Sequence, residues 1–166
     1  MDVLVVRHAL AMDRDEAKAA GMLDRDRPLT KKGRTRMKRA ARGLGKLIPS
    51  VSAVITSPLR RAVETADVLR SQYEDVRQVE IEALLPDREP GELAQFLADG
   101  AFESPVLVIG HEPHLSRWVS WGLAGEPLVL LELRKGGACL LRFEGDPGSR
   151  AGRLLWLLTP TMLRRL

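Results

Sequence analysis

Two short, continuous apolar runs constrain the fold of this chain more than any other feature of its sequence. Residues 3–6 (Val-Leu-Val-Val) and residues 105–110 (Pro-Val-Leu-Val-Ile-Gly) are rich in β-branched side chains and carry no charge. Such runs are typical of strands that are buried on both faces because helices cover both sides of a sheet. Each run is followed at once by a histidine or an Arg-His pair. The sequence therefore predicts buried central strands that end in polar, reactive residues.

Strands and helices alternate along most of the chain. Further strands are predicted at residues 53–56, 79–81, 138–143 and 154–158, and helices at 15–22, 31–48, 59–71, 90–97 and 114–123. Thr30 is the expected N-cap of the second helix, and Ser57 with Pro58 is the expected start of the third. The last two strands flank a turn-rich segment at residues 145–148 and are predicted to form an antiparallel pair. We therefore expect a three-layer α/β sandwich, with a mostly parallel central sheet, an antiparallel edge and helices on both faces.

The predicted helix at residues 31–48 is amphipathic and strongly basic. Its apolar residues recur at helical spacing, whereas lysine and arginine cover the rest of its surface. We expect this outer face to be a solvated surface, and docking to an acidic protein partner is the alternative.

Composition and length favour one cytoplasmic domain that spans residues 1–166. A chain of 166 residues with 45% hydrophobic content can bury a single core. No cleavable signal is predicted and no apolar run approaches the ~20 residues of a membrane span, so no membrane partner is expected. Cys139 stands in an apolar context and is expected to be buried rather than catalytic. An aromatic content of 4%, without interleaved basic residues, argues against a nucleic-acid partner.

Two of the three histidines, His8 and His111, come directly after the two buried strands. Ligands of open α/β sheets bind at that edge of the sheet. Arg7 precedes His8, and Arg60 and Arg61 follow the end of the strand at residues 53–56. Guanidinium groups and helix N-termini both present preorganised donors to phosphate oxygens. The pattern therefore indicates a site that binds a phosphate group.

Four segments, in order along the chain, resemble the motifs of the histidine phosphatase superfamily. They are residues 5–9 (Val-Val-Arg-His-Ala), 26–33 (Asp-Arg-Pro-Leu-Thr-Lys-Lys-Gly), 57–66 (Ser-Pro-Leu-Arg-Arg-Ala-Val-Glu-Thr-Ala) and 108–113 (Val-Ile-Gly-His-Glu-Pro). Each segment alone is a weak match, but the ordered set spans about two thirds of the chain. The sequence is therefore similar to this superfamily, and it most resembles the short SixA-like phosphohistidine phosphatase branch.

This resemblance implies a phosphoglycerate mutase-like fold and a role for each matched residue. His8 would be the nucleophile that becomes phosphorylated, and Arg7, Arg61 and His111 would surround the phosphoryl oxygens. Arg61 is preferred to the arginine before it because it precedes alanine in the matching register. Glu64 stands where the family usually has glutamine, and we expect its side chain to lie on the helix surface.

No metal or cofactor is expected at this site. A neutral imidazole can attack phosphorus directly when cationic groups offset the charge of the phosphoryl oxygens. The sequence also has no His-x-x-x-His or paired-cysteine spacing of the kind that binds zinc.

The leaving group favours phosphohistidine as the substrate. An alkoxide needs a proton donor, whereas imidazole, with a pKa of about 6.5, leaves far more readily. The candidate acids are Glu82, Asp87 and Glu112. None of them lies in a recognisable motif, and we expect all three to be ordinary surface acids. The short chain also leaves little room for the helical cap with which larger relatives enclose sugar phosphates.

We therefore expect a monomeric phosphatase that acts on a phosphohistidine-containing protein such as a phosphotransfer domain. Two alternatives stay open. One is a broad phosphomonoesterase, or less readily a mutase, acting on small phosphate esters. The other is a non-catalytic module that binds phosphoproteins, although such a module could use arginines alone and would not need His8 and His111.

Overall fold

A six-stranded sheet forms the middle layer of the fold. The computed structural model, which describes residues 1–73 and 75–166, has strands β1 (Asp2–Arg7), β2 (Ala53–Thr56), β3 (Arg77–Glu80), β4 (Val106–Gly110), β5 (Ala138–Phe143) and β6 (Gly152–Leu158). Their order across the sheet is β3-β2-β4-β1-β5-β6. The first four strands of that order are parallel, whereas β5 and β6 are antiparallel to their neighbours. The predicted mostly parallel sheet with an antiparallel edge is confirmed.

Helices cover both faces of this sheet. In the described residues they are α1 (Arg14–Ala19), α2 (Lys31–Leu47), α3 (Arg60–Arg70), α4 (Pro90–Asp99), α5 (His114–Ala124) and α6 (Pro160–Leu163), with single 3₁₀ turns at Asp24–Asp26 and Glu82–Leu84. The last α-helix and both 3₁₀ turns were not predicted, because segments this short have no measurable periodicity. Across residues 1–73 and 75–166, no helix is both long enough and apolar enough to cross a lipid bilayer.

Alternate residues of β1 pack into two separate apolar cores. Leu4 and Val6 belong to the core beneath α2, α3 and α6. Val3 and Val5 belong to the core beneath α4 and α5, which also contains Cys139. Burial raises the pKa of the Cys139 thiol, and the prediction that this cysteine is buried is confirmed. A strand that is apolar on both faces is therefore the physical reason for the three layers.

The ends of two helices show where local sequence signals succeed and fail. The Thr30 hydroxyl accepts a hydrogen bond from the N–H of Gly33 (2.9 Å), so the predicted N-cap of α2 is confirmed. The predicted start of the next helix is wrong, because α3 begins at Arg60 and Ser57 is not its N-cap. The fully buried Ser57 hydroxyl instead lies 2.9 Å from Nε2 of His111. The same hydroxyl also accepts a hydrogen bond from the N–H of Leu59 (3.3 Å), so the serine stabilises the turn before α3 while it contacts His111.

Strand register aligns three chain segments at one edge of the sheet. In the parallel pairs, Arg7 lies opposite Gly110, and Thr56 lies opposite Ile109. The residues that follow β1, β2 and β4 are therefore neighbours in space. The antiparallel β5 begins at the same edge, since Ala138 lies opposite Val6.

Candidate active site

A solvent-open cavity of about 500 Å³ lies where β1, β2 and β4 end. Its lining contains the four residues that the sequence predicted, Arg7, His8, Arg61 and His111, and also Asp13, Arg14, Asp15, Arg27, Pro86, Glu112 and Lys135. Five of these side chains are cationic and three are carboxylates, so the cavity is suited to an anion. The fold therefore brings together residues from five distant parts of the sequence.

Main-chain contacts fix both the position and the tautomer of His8. Its N–H donates to the carbonyl of Gly110 (3.0 Å), and the following N–H, of Ala9, donates to the hydroxyl of Thr65 (3.0 Å). The ring atom Nδ1 lies 2.7 Å from the carbonyl oxygen of Ala9. A carbonyl oxygen only accepts hydrogen bonds, so Nδ1 carries the proton in the neutral ring. The lone pair of His8 is therefore on Nε2.

His8 is neutral at physiological pH. Burial, together with the charges of Arg61 and Arg7, lowers its pKa to about 3, against the effect of the Ala9 hydrogen bond. Only 6% of the residue is exposed. An uncharged imidazole with a free Nε2 is the form of histidine that can act as a nucleophile.

His111 is a second neutral imidazole beside the first. The two ring centroids are 5.0 Å apart and the ring planes are inclined by 50°. Burial lowers the pKa of His111 to about 2, and the neighbouring His8 and Arg61 act in the same direction. Its Nε2 contacts Ser57, whereas its Nδ1 has no hydrogen-bond partner in residues 1–73 and 75–166.

The guanidinium groups of the buried Arg61 and the half-buried Arg7 are each held by hydrogen bonds from one nitrogen. Nη1 of Arg61 donates to the carbonyl of Asp24 (2.9 Å) and lies 3.2 Å from its carboxylate. Nη1 of Arg7 donates to the carbonyl of Leu133 (2.7 Å). The Nε atoms of both arginines lack a partner within the described part of the chain. Both groups are therefore oriented by the protein and keep donors available for an anion.

The cavity also contains three cations that the sequence prediction missed as site residues, the exposed Arg14 and also Arg27 and Lys135. Arg27 is buried, and its Nε donates to the carboxylate of Asp24 (2.9 Å) while its Nη1 donates to the carbonyl of Met12 (2.6 Å). The sequence signal that could have identified Arg27 as a site residue is its place in the Arg-Pro-Leu-Thr segment. Lys135 precedes β5, and an antiparallel strand begins at the edge where its parallel neighbours end.

The predicted surface position of Glu64 is wrong. Its side chain is only 11% exposed. One carboxylate oxygen accepts the N–H of Leu29 (2.7 Å) and contacts Arg34 (2.7 Å), and the other contacts Nε of Arg60 (2.9 Å). The carboxylate thus joins α3 to the start of α2, where two arginines balance its charge. The Arg60 side chain contacts the Glu64 carboxylate and does not line the cavity.

The three candidate acids have different positions. Glu112 lines the cavity, and its Oε1 accepts hydrogen bonds from the Ser116 hydroxyl (2.7 Å) and the N–H of Leu133 (3.2 Å). Glu82 is exposed and pairs with a surface arginine, and Asp87 is exposed and does not line the cavity. In the part of the chain that the structure describes, no cluster of three or more His, Cys, Asp or Glu side chains is placed to hold a metal ion.

Comparison with known sequences identifies the family. The model of the histidine phosphatase superfamily (branch 1) matches residues 3–118, a range that contains His8, Arg61 and His111. An uncharacterized protein of Picosynechococcus sp. is 33% identical over 147 residues, which cover 86% of this chain and 85% of the relative.

Solved structures share the fold along nearly the whole chain. The protein histidine phosphatase SixA complexed with tungstate matches with a TM-score of 0.79 and 23% identity, covering 97% of this chain and 98% of that one. The alpha-ribazole phosphatase from Shigella flexneri matches with a TM-score of 0.72 and 16% identity, covering 96% and 97%. The predicted phosphoglycerate mutase-like fold is confirmed by these likenesses.

Proposed function

Because this chain belongs to the histidine phosphatase superfamily, we propose that it is a metal-independent phosphatase that removes phosphate from phosphohistidine in a protein, with His8 as the nucleophile. The orientation of the His8 ring carries this proposal. Its Nδ1 is committed to the carbonyl of Ala9 (2.7 Å), so its Nε2 holds the free lone pair beside a cavity lined by Arg7 and Arg61.

In the first step, the Nε2 lone pair of His8 attacks phosphorus and the bond from phosphorus to the substrate nitrogen breaks. A substrate imidazole that is protonated on its second nitrogen then departs as a neutral ring. The phosphoryl group passes from one imidazole to another, so the step exchanges one P–N bond for another of the same kind. The charge on the phosphoryl oxygens is offset by Arg7 and Arg61, whose side chains line the cavity.

In the second step, water attacks the phosphorus of phosphorylated His8 and inorganic phosphate leaves. The His8 ring returns to the neutral form with its proton on Nδ1, facing the carbonyl of Ala9. The free Nδ1 of His111 gives a second group that can contact a phosphoryl oxygen or the incoming water.

Two features favour phosphohistidine over an alkyl phosphate. The cavity is open to solvent, and in residues 1–73 and 75–166 no long insertion closes it, which suits a histidine presented on the surface of another protein. Of the three candidate acids, Glu112 lines the cavity, but its Oε1 already accepts hydrogen bonds from the Ser116 hydroxyl and the N–H of Leu133. The likeness in fold to a protein histidine phosphatase also supports this substrate class.

The test compares phosphate release by the wild type and by His8→Ala in the presence of a chelator. The substrates are a histidine-phosphorylated phosphotransfer domain, an aryl phosphate and an alkyl phosphate. We expect rapid, His8-dependent release from phosphohistidine and slow turnover of the alkyl ester. Phosphate release that persists in His8→Ala would remove the proposed mechanism.

A phosphatase for small phosphate esters is the second candidate. Glu112 lines the cavity, and Asp13 and Asp15 lie exposed at its rim, so carboxyl groups are near enough to protonate an alcohol leaving group. The fold likeness to an alpha-ribazole phosphatase is consistent with this alternative. Alkyl ester turnover equal to phosphohistidine turnover, and lost in Glu112→Gln, would favour it.

A further inference from the structure

A line of cations, all exposed except the half-buried Arg164, runs from the active-site cavity along α2. We call it the basic strip and define it by the residues Lys135, Arg36, Arg164, Arg39, Arg42 and Lys46. The residues from 36 to 46 span about 15 Å of helix at 1.5 Å per residue.

Shared side chains make the strip continuous with the site. Lys135 lines both the active-site cavity and a shallow groove that contains Arg36 and Arg164. Arg164 in turn lines the next groove, of about 280 Å³, together with Arg39 and Arg42. An acidic surface bound along the strip would therefore contact cations continuously up to the cavity that contains the nucleophile.

Close backbone contacts hold α2 in place at both ends of the strip. A Cβ atom added to Gly33 would lie 2.0 Å from the carbonyl oxygen of Leu10, in the loop that follows His8. A Cβ atom added to Gly43 would lie 2.0 Å from the carbonyl oxygen of Leu163, next to Arg164. The strip is thus a fixed surface, positioned relative to the site by the fold itself.

The charge pattern of α2 lowers the stability of the helix itself. The helix has eight lysine or arginine residues and no acidic residue, and its first turn, at the positive end of the helix dipole, contains no acid. Successive strip residues of α2 are three or four apart, which is the spacing at which like charges destabilise a helix. Within the described residues, Arg36, Arg39 and Arg42 form no ion pair. Charge of this kind is complementary to an acidic partner.

We propose that the basic strip docks the acidic surface of the protein whose phosphohistidine enters the cavity. This inference rests on the proposed function and adds the character of the partner to it. A protein is favoured over a nucleic acid because no aromatic side chain for base stacking lines either groove. The proposal takes up the alternative that the sequence left open for this helix, docking to an acidic protein, in place of a solvated surface.

The experiment compares two triple variants that change net charge equally. Arg36→Glu, Arg39→Glu and Arg42→Glu together reverse the centre of the strip. Lys38→Glu, Arg70→Glu and Arg77→Glu together form the control, because these exposed cations do not line the strip or the cavity. The substrates are an acidic, histidine-phosphorylated phosphotransfer domain and free phosphohistidine. If a Glu triple fails to fold, the corresponding Gln triple takes its place.

For the protein substrate, we expect the strip variant to lose roughly tenfold or more in kcat/KM, mainly through KM, and the loss to shrink at high salt. Turnover of free phosphohistidine should match that of the control variant. Equal kcat/KM for both triple variants on the protein would overturn the docking surface. Loss of binding to duplex DNA or anionic vesicles, with protein turnover unchanged, would also overturn it. A wild type that hydrolyses small esters but not the phosphorylated protein would instead refute the proposed function.

Discussion

Replacing Glu64 by glutamine tests whether its carboxylate stabilises the fold. The carboxylate contacts the main-chain N–H of Leu29 and the guanidinium groups of Arg34 and Arg60. Glutamine has the same shape and its carbonyl oxygen can still accept the N–H of Leu29, but its NH₂ group replaces the oxygen that contacts Arg60, so the substitution removes the charge and that acceptor. Both arginines are 41–52% exposed and recover water when the charge is removed.

The expected magnitude follows from these contacts. Hydrogen bonds to charged groups contribute about 1.5–3 kcal/mol and neutral ones about 0.5–1.5 kcal/mol, so with partly exposed arginines we expect Glu64→Gln to cost ~1–2 kcal/mol. Glu64→Ala also leaves the buried N–H of Leu29 without an acceptor, and we expect a cost of ~3 kcal/mol. For a domain of this size these losses correspond to a fall in Tm of roughly 2–8 °C and 6–12 °C.

The assay is thermal and urea unfolding of the two variants, followed by a double-mutant cycle with Arg34→Ala. We expect the Glu64→Gln and Arg34→Ala effects to be less than additive, because both remove the same ion pair. A Glu64→Gln protein as stable as the wild type would refute the view that the carboxylate holds α2 and α3 together.

Three further outcomes are expected. The free energy of unfolding, measured with urea, should fall between pH 7.5 and pH 5.5. Below a pKa of about 6.5 the unfolded state binds protons that the folded state does not bind. An unchanged midpoint of urea unfolding would contradict this. The groups responsible are the buried histidines with pKa values lowered to about 3, 2 and 4, His8, His111 and His114. Asp24→Ala should lower kcat/KM by roughly tenfold, since it removes the carboxylate that orients Arg61, and an unaltered kcat/KM would show that its main-chain contact suffices. Gly33→Ala should cost ~1–3 kcal/mol on unfolding because its Cβ would meet the Leu10 carbonyl, whereas Gly91→Ala, with open space around it, should not destabilise; equal costs would contradict the close approach.

The fold was predictable from sequence because its strongest signals are local. A strand buried on both faces is apolar at every position, so residues 3–6 and 105–110 could be recognised without knowledge of their neighbours. The third strand was predicted at residues 79–81 but lies at Arg77–Glu80. It forms the sheet edge and is largely exposed, so its sequence carries little pattern.

The site was predictable where a residue directly follows a strand or lies, like Arg61, in a segment that matches a family motif. His8 and His111 meet the first condition, and the structure places them 5.0 Å apart. Lys135 and the buried position of Glu64 depend on how distant segments pack, which no local pattern encodes. The same limit applies to Ser57, whose hydroxyl contacts a histidine 54 positions away in addition to the N–H of Leu59.

The most direct test of the account is to trap the phosphorylated enzyme. The wild type is mixed with a radiolabelled, histidine-phosphorylated phosphotransfer domain and quenched rapidly in base, which preserves phosphohistidine. We predict label on the peptide that contains His8, lost on acidification, absent from His8→Ala and still formed, more slowly, by His111→Ala. Label on any other residue, or continued turnover by His8→Ala, would contradict the assignment of His8 as the nucleophile.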